Sequence, residues 1–327
     1  MNLLTIAIPT YNRNIGLEKL LSSLSVVDLE ALNIVVNIHD NSSREMQELN
    51  QKAALKNPCF NYFPNSSNIG YANNIIKSVA SANSHYLWLL SDDDEVQTSC
   101  FAEITQILNS QSPLLLFLPF VTSANPGKIR NSNGLDGKNI TELLDNPKLF
   151  PFALLSGFIV KISSLTDSSQ LKIKSLFNKY SSNVFLQALV PLFLLSQSIN
   201  TNSESNSISA YHDNVIFYKN SFEVRFSIYE MYKSSLSIEE LAFKLNLIDS
   251  SLYRRRRRSR NSQYSLALLR QKAGLNSFIQ DSRIFRLILF NAIRLGDSIC
   301  LIKLSFLCLP VSLLRKFLLS RGHISHA

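Results

Sequence analysis

Short apolar runs bounded by polar turns alternate with stretches of helical spacing over the first 120 residues. Residues 3–8 form an apolar run closed by Pro9, the pattern of a buried strand. Leu17, Leu20, Leu21 and Leu24 follow at i, i+3, i+4 and i+7, which predicts an amphipathic helix. Residues 33–39 read as a second strand, 44–56 as a helix and 59–63 as a short strand. Ala72, Ile75, Ile76 and Val79 share one face of a helix predicted over 70–82. A strand at 85–90, a helix at 101–108 and a strand at 114–121 complete the series. This β–α alternation implies an α/β fold, a mostly parallel sheet flanked by helices, with ligands bound beyond the carboxyl ends of the strands. Polar clusters occupy those ends: residues 10–13, 40–43 and 91–95.

Further along, residues 122–150 read as a loop and 157–162 as a strand. Residues 184–196 predict a buried helix, 196–209 an exposed Ser/Asn-rich stretch and 216–218 a last strand. From about residue 222 the spacing is helical to the end, so the chain divides into a domain over 1–222 and a helical region over 223–327. No internal repeat is visible.

Charge sharpens that division. Residues 241–327 hold 16 of the 33 basic side chains and 3 of the 24 acidic ones, while the rest of the chain is net acidic. Such asymmetry points to a polyanionic partner. Arg254 to Arg258 and Arg260 form a dense run, followed by apolar stretches at 284–290 and 299–314 and then by Arg315 and Lys316. The second stretch falls short of a spanning helix and carries Lys303 and Pro310. It reads instead as a helix lying in the interface, so residues 254–321 are expected on an anionic membrane surface. The competing reading is a set of packed helices with a solvated basic face. Nucleic acid is not expected, because aromatics do not interleave with the arginines apart from Tyr253 and Tyr264. Cys59, Cys100, Cys300 and Cys308 lack metal or redox spacing and read as buried free thiols of a reducing compartment. The opening residues carry no basic n-region and read as a strand rather than a signal peptide.

Asp92, Asp93 and Asp94 follow the apolar run that ends at Leu90. Adjacent carboxylates repel, and a fold keeps them together when something offsets the charge. Mg²⁺ or Mn²⁺ does so and can bridge a diphosphate. The alternative is a solvated turn whose aspartates cap the next helix.

Four motifs resemble those of the family 2 glycosyltransferases of the GT-A (Rossmann-like) fold: TIAIPTYNR at 5–13, IHDNSS at 38–43, NIGYANN at 68–74 and LSDDDE at 90–95. The Ser-Asp-Asp-Asp variant looks like the branch that builds bacterial surface polysaccharide, including abequosyltransferase-like members. The resemblance implies a metal-dependent transferase that takes a nucleotide-diphosphate sugar and a glycan or lipid-linked acceptor, at the cytoplasmic face of the cell membrane. It implies that Pro9, Thr10, Tyr11 and Arg13 line the nucleotide pocket, that Asp40 contacts the base, and that Asn68 and Gly70 shape the adjoining loop. Asp92 and Asp93 would contact ribose or sugar, with Asp94 the best metal ligand and Asp92 its partner. Ser156 and Gly157 fall in a stretch similar to the acceptor side.

The pattern departs from the family at the general base. The window 178–187 holds no carboxylate, and none occurs between Asp167 and Glu204. Asp213 is the nearest substitute. Two other readings therefore stand beside the enzyme: a catalytically silent nucleotide-sugar-binding partner, and a phosphoryl or nucleotidyl transferase. The last is disfavoured by the absence of a Gly-rich phosphate loop.

Overall fold

The computed structural model describes residues 1–122, 125–130, 155–163, 167–183, 185–201, 208–211, 216–218, 228–272, 283–308 and 310–320. The chain separates into two compact units, one of Met1–Leu144 and Phe150–Asn220, the other of Asp145–Leu149 and Ser221–Ala327.

The first unit begins with β1 (Asn2–Thr10), α1 (Asn14–Leu24), β2 (Ile34–Asp40), α2 (Arg44–Ala54), β3 (Phe60–Pro64), α3 (Gly70–Ala80) and β4 (Ser84–Leu89). After β5 (Glu95–Val96) come α4 (Phe101–Ser110), β6 (Leu115–Phe117), β7 (Phe120–Thr122), β8 (Asn125–Arg130), β9 (Phe158–Lys161), α5 (Asp167–Lys179), α6 (Leu189–Thr201), β10 (Ile208–Ala210) and β11 (Ile216–Tyr218). Seven strands form one sheet in the order β10-β6-β9-β4-β1-β2-β3. All neighbours pair parallel except β9, which runs antiparallel to β4 and β6. β1 lies inside the sheet between β4 and β2, and its near-continuous burial is what a parallel strand covered on both faces requires. Leu4, Ile6, Ile8, Ile38 and Trp88 lie in one core with Leu17, Leu21 and Leu24 of α1 and Phe101 and Ile104 of α4.

The apolar run at 114–121 does not make one strand. It divides into β6 in the large sheet and β7 in a second sheet of order β5-β11-β7-β8. Buried on both faces, it carries no period that marks the crossing. Within the expected loop at 122–150, residues 125–130 pair antiparallel with β7. The sequence of β8 is largely polar and gives no strand period. β10 was likewise unmarked in a Ser/Asn-rich stretch.

The second unit contains α7 (Ile228–Lys244), α8 (Ser250–Lys272), α9 (Arg283–Leu295), α10 (Ser298–Ser305) and α11 (Val311–Ser320). Its core gathers Tyr232 and Leu236 of α7, Tyr264 and Leu268 of α8, Ile284, Ile288 and Ala292 of α9, and Cys300 and Leu304 of α10. No helix among the described residues is long and apolar enough to cross a membrane.

The arginine run is a correction to the sequence pattern, which treats it as one headgroup-facing patch. Arg256 and Arg260 are buried and both bind Glu239, itself 1% exposed. Arg257 stacks on Tyr253 and pairs with Glu240, and Arg258 donates to the Leu295 carbonyl at 2.7 Å. Helical spacing sends Arg256 and Arg260, four residues apart, into the protein, and of the run Arg254, Arg255 and Arg258 are exposed. The cysteines are free, with Cys100 and Cys300 buried but Cys59 half-buried and Cys308 exposed, so burial of all four does not hold.

Candidate functional site

Parallel pairing sets Thr10 beside Asp40 and Ala7 beside Leu89, which brings the turns after β1, β2 and β4 to one edge of the sheet. The first turn is fixed by Asn12, whose φ of 53° is in the left-handed region that asparagine tolerates. Its N–H donates to Ser42 Oγ at 2.7 Å, and its side-chain oxygen accepts from the Ser43 N–H at 3.0 Å. Asn41 extends the tie to the third loop. Its Nδ2 donates to Asn68 Oδ1 at 2.6 Å, and its Oδ1 accepts from the Ile69 N–H at 2.9 Å. Asn68 Oδ1 also accepts from the Gly70 N–H at 2.9 Å, and Gly70 opens α3 at φ 81°, where a side chain would be strained. These turns enclose a groove of about 490 Å³ lined by Tyr11, Asn12, Asn41, Ser42, Asn65 and Asn68, with Arg44 at its edge.

The acidic run is the other side of the same first turn. Thr10 Oγ1 donates to Asp92 Oδ2 at 2.7 Å, and Arg13 Nη1 donates to Asp92 Oδ1 at 3.1 Å and to Asp93 Oδ2. Ser91 Oγ donates to Asp93 Oδ1 at 2.6 Å. Arg13 therefore acts as a built-in counter-cation for two of the three carboxylates. Asp94 turns inward, where Ser156 Oγ donates to its Oδ2 at 2.5 Å. Its Oδ1 is buried and has no hydrogen-bond partner. Burial pushes the Asp94 carboxyl up to about 8, aided by the neighbouring charges of Asp93 and Asp92 and opposed by Ser156 and Arg13. Burial also raises Asp92 against the pull of Thr10 and Arg13.

An orphaned, buried carboxylate oxygen fits a hard cation. Mg²⁺ is typically held by one or two carboxylates together with substrate phosphates rather than by a full protein cage. Consistent with that, no group of three His, Cys, Asp or Glu side chains among the described residues could hold a metal by itself. Asp94 offers the one acidic oxygen of the run without a donor, whereas both oxygens of Asp92 already accept hydrogen bonds.

Asp40 is fully buried, and it accepts from the Ser42 N–H at 2.8 Å, Asn50 Nδ2 at 2.7 Å and Tyr62 Oη at 2.7 Å. These bonds tie the second turn to α2 and β3. Thr10 and Arg13 hold the acidic run, Pro9 is a strand residue opposite His39, and of the first turn Tyr11 and Asn12 face the groove. Ser156 is 0% exposed, with its hydroxyl shared between Asp94 and the Ser91 N–H. Gly157 is also buried, its carbonyl accepting from Leu118. Asp213 lies outside the described residues. In the base window the described part carries Asn183 and Gln187, both buried.

Several residues of the site were not singled out by sequence. Asn41 and Asn65 line the groove, and Tyr62 and Asn50 hold Asp40. Gly16, in the first turn of α1, packs so closely that a Cβ there would sit 2.9 Å from the Asp92 carbonyl oxygen. The sequence signal for Gly16 was present: a glycine inside a helical pattern implies close backbone approach.

Residues 5–156 match the family model described as Glycosyl transferase family 2. Among curated proteins the chain is similar to abequosyltransferase RfbV of Salmonella typhimurium, 34% identical over 131 residues, which is 39% of each chain. It is also similar to the GalNAc(5)-diNAcBac-PP-undecaprenol beta-1,3-glucosyltransferase of Campylobacter jejuni, 29% identical over 107 residues, or 32% of this chain and 34% of that one. The match thus spans well under half the length of either relative. In fold the chain resembles S. aureus TarS residues 1–349 solved with UDP, at a TM-score of 0.59 and 13% identity, covering 92% of this chain and 82% of that one.

Proposed function

We propose that this protein transfers a sugar from a nucleotide-diphosphate sugar to a lipid-linked glycan acceptor during assembly of a bacterial surface polysaccharide. One observation carries the reading. The turn at residues 10–13 faces the groove with Tyr11 and Asn12 and the acidic run with Thr10 and Arg13. A nucleoside in the groove would therefore present its diphosphate to the carboxylates. The relatives support the substrate classes: one is an abequosyltransferase, the other acts on an undecaprenol-linked glycan by its name. A lipid-linked acceptor and a nucleotide-sugar donor would meet at the cytoplasmic face of a membrane.

Asp94 would hold Mg²⁺ or Mn²⁺, and the cation would offset charge on the departing diphosphate. The chain's own residues do the rest. Arg13 bridges Asp92 and Asp93, and Ser156 fixes the direction of Asp94. The acid-free base window favours one second reading, a nucleotide-sugar-binding partner without turnover.

A thermal-shift panel of UDP, GDP, CDP and dTDP, each with and without Mn²⁺, tests the proposal, because a ligand bound only by the native state raises its melting temperature. A rise with at least one nucleotide, enhanced by Mn²⁺ and lost in Asp94→Ala, is expected. A flat response to all four overturns it. Binding without slow hydrolysis of the matching sugar donor selects the silent partner.

A further inference from the structure

Between residues 283 and 320 the chain has Arg283, Arg286, Arg294, Lys303, Arg315 and Lys316 but a single acid, Asp297. That acid is 6% exposed and turned inward, where it accepts from the Cys300 N–H at 3.1 Å and from Asn261 Nδ2 at 3.3 Å. The outer surface of α9 and α10 therefore carries no negative charge of its own. Both helices send one face into the core, through Ile284, Ile288 and Ala292 and through Cys300 and Leu304. Helical spacing puts Phe290 and Ile293 on the opposite face of α9, with Arg286 and Arg294 beside them. Ile299 and Ile302 take the corresponding face of α10. These four apolar side chains are 63%, 64%, 63% and 59% exposed. Only Gly296 and Asp297 separate the two helices, and both cover the same core, so their outer faces adjoin.

We propose that this outer face of α9 and α10 docks on an anionic lipid bilayer, with Phe290, Ile293, Ile299 and Ile302 entering the headgroup–acyl boundary and Arg286 and Arg294 pairing with lipid phosphates. Aromatic and branched apolar residues flanked by arginines, on helices too short to span, are the pattern of an interfacial surface. A second copy is a poorer occupant, because an isologous contact would bring arginines against arginines. The proposal deepens the membrane placement above and moves it from the α8 arginine run to α9 and α10. Its test uses neither donor nor acceptor, so either reading can fail alone.

The test is co-sedimentation of the full chain with phosphatidylcholine vesicles that contain or lack phosphatidylglycerol. Binding is expected only with the anionic lipid, weakening as salt rises. The double variant Phe290→Ser, Ile293→Ser should bind about tenfold more weakly or worse, with an unchanged circular dichroism melt because both side chains are exposed. Arg286→Gln with Arg294→Gln should weaken binding and flatten its salt dependence. Arg254→Gln with Arg255→Gln, on α8, should bind as the parent does. Equal binding to neutral vesicles, or full binding by the Phe290/Ile293 variant, overturns the proposal. So does a dimer seen by light scattering that this variant dissociates, with no vesicle binding by the parent.

Discussion

The hydroxyl of Ser156, in the chain just before β9, donates to Asp94 at the end of the β4 turn over 2.5 Å, across 62 residues of sequence. The same oxygen accepts from the Ser91 N–H at 2.9 Å, so one buried side chain pins both ends of the acidic run. Among the described residues this contact is the only donor to an Asp94 carboxylate whose other oxygen has none. It therefore sets where that carboxylate points and helps to set when it ionises.

Ser156→Ala removes an interaction that opposes burial and holds the Asp94 pKa down to about 8. The carboxyl then ionises at still higher pH. A cation needs the ionised form, so metal affinity should rise with pH and its midpoint should move upward in the variant. Loss of such a supporting hydrogen bond typically costs 10–100-fold in metal affinity, about the effect expected here. Mn²⁺ titrations at several pH values, read by nucleotide binding, measure it. An unshifted pH profile would reduce Ser156 to packing.

Asp40 offers a direct contrast between two roles. A base-reading carboxylate would face the groove, but this one receives three donors from Ser42, Asn50 and Tyr62. Asp40→Asn replaces an acceptor oxygen with a donor that confronts donors. We expect a loss of about 1–3 kcal/mol of stability by urea unfolding and little change in which nucleotide binds. A stable variant with altered nucleotide preference would return Asp40 to the base.

The elements of the first 110 residues were legible because parallel strands and their covering helices leave strong, separate periods: Leu17, Leu20, Leu21 and Leu24 are all buried as spaced. The turns were legible as polar clusters at strand ends. What those turns do internally was not. Thr10 and Arg13 point to Asp92 rather than to the groove, and Ser156 points to Asp94, through contacts 62 to 82 residues apart. A motif locates such residues at the site but does not say which of their neighbours each side chain faces. The arginine run failed for a similar reason. Its composition announces charge, and only the helical phase against Glu239 decides which arginines are buried.

His39 provides a pH test of the sheet edge. Burial, with the charge of Lys77, lowers it from 6.5 to about 4, and its ring stacks on Phe63 with Nε2 2.7 Å from Ser81 Oγ. The unfolded chain takes up a proton below 6.5 that the folded protein refuses until about 4. Stability contributed by the neutral ring is thus present above 6.5 and lost as pH falls between those values. From about pH 7 to about pH 5 the loss should be about 2 kcal/mol. Urea midpoints of the parent should fall over that range, and those of His39→Gln should fall less. Parallel curves would mean that the ring protonates in the folded state without penalty.

Glu239 and Glu240 are adjacent on α7 and both engage arginines, yet they should respond very differently to loss of charge. Glu239 is 1% exposed between the buried guanidinium groups of Arg256 and Arg260. Glu239→Gln removes the buried carboxylate that both guanidinium groups share, which should cost about 3–5 kcal/mol. Glu240 is 44% exposed, 3.7 Å from Arg257 and bonded to Lys244, and solvent screens both pairs. Glu240→Gln should therefore cost no more than about 1 kcal/mol. Denaturant unfolding of the two variants, followed by circular dichroism of the helical region, separates them. Equal midpoints would show that water reaches Arg256 and Arg260, and that the run is a solvated face after all.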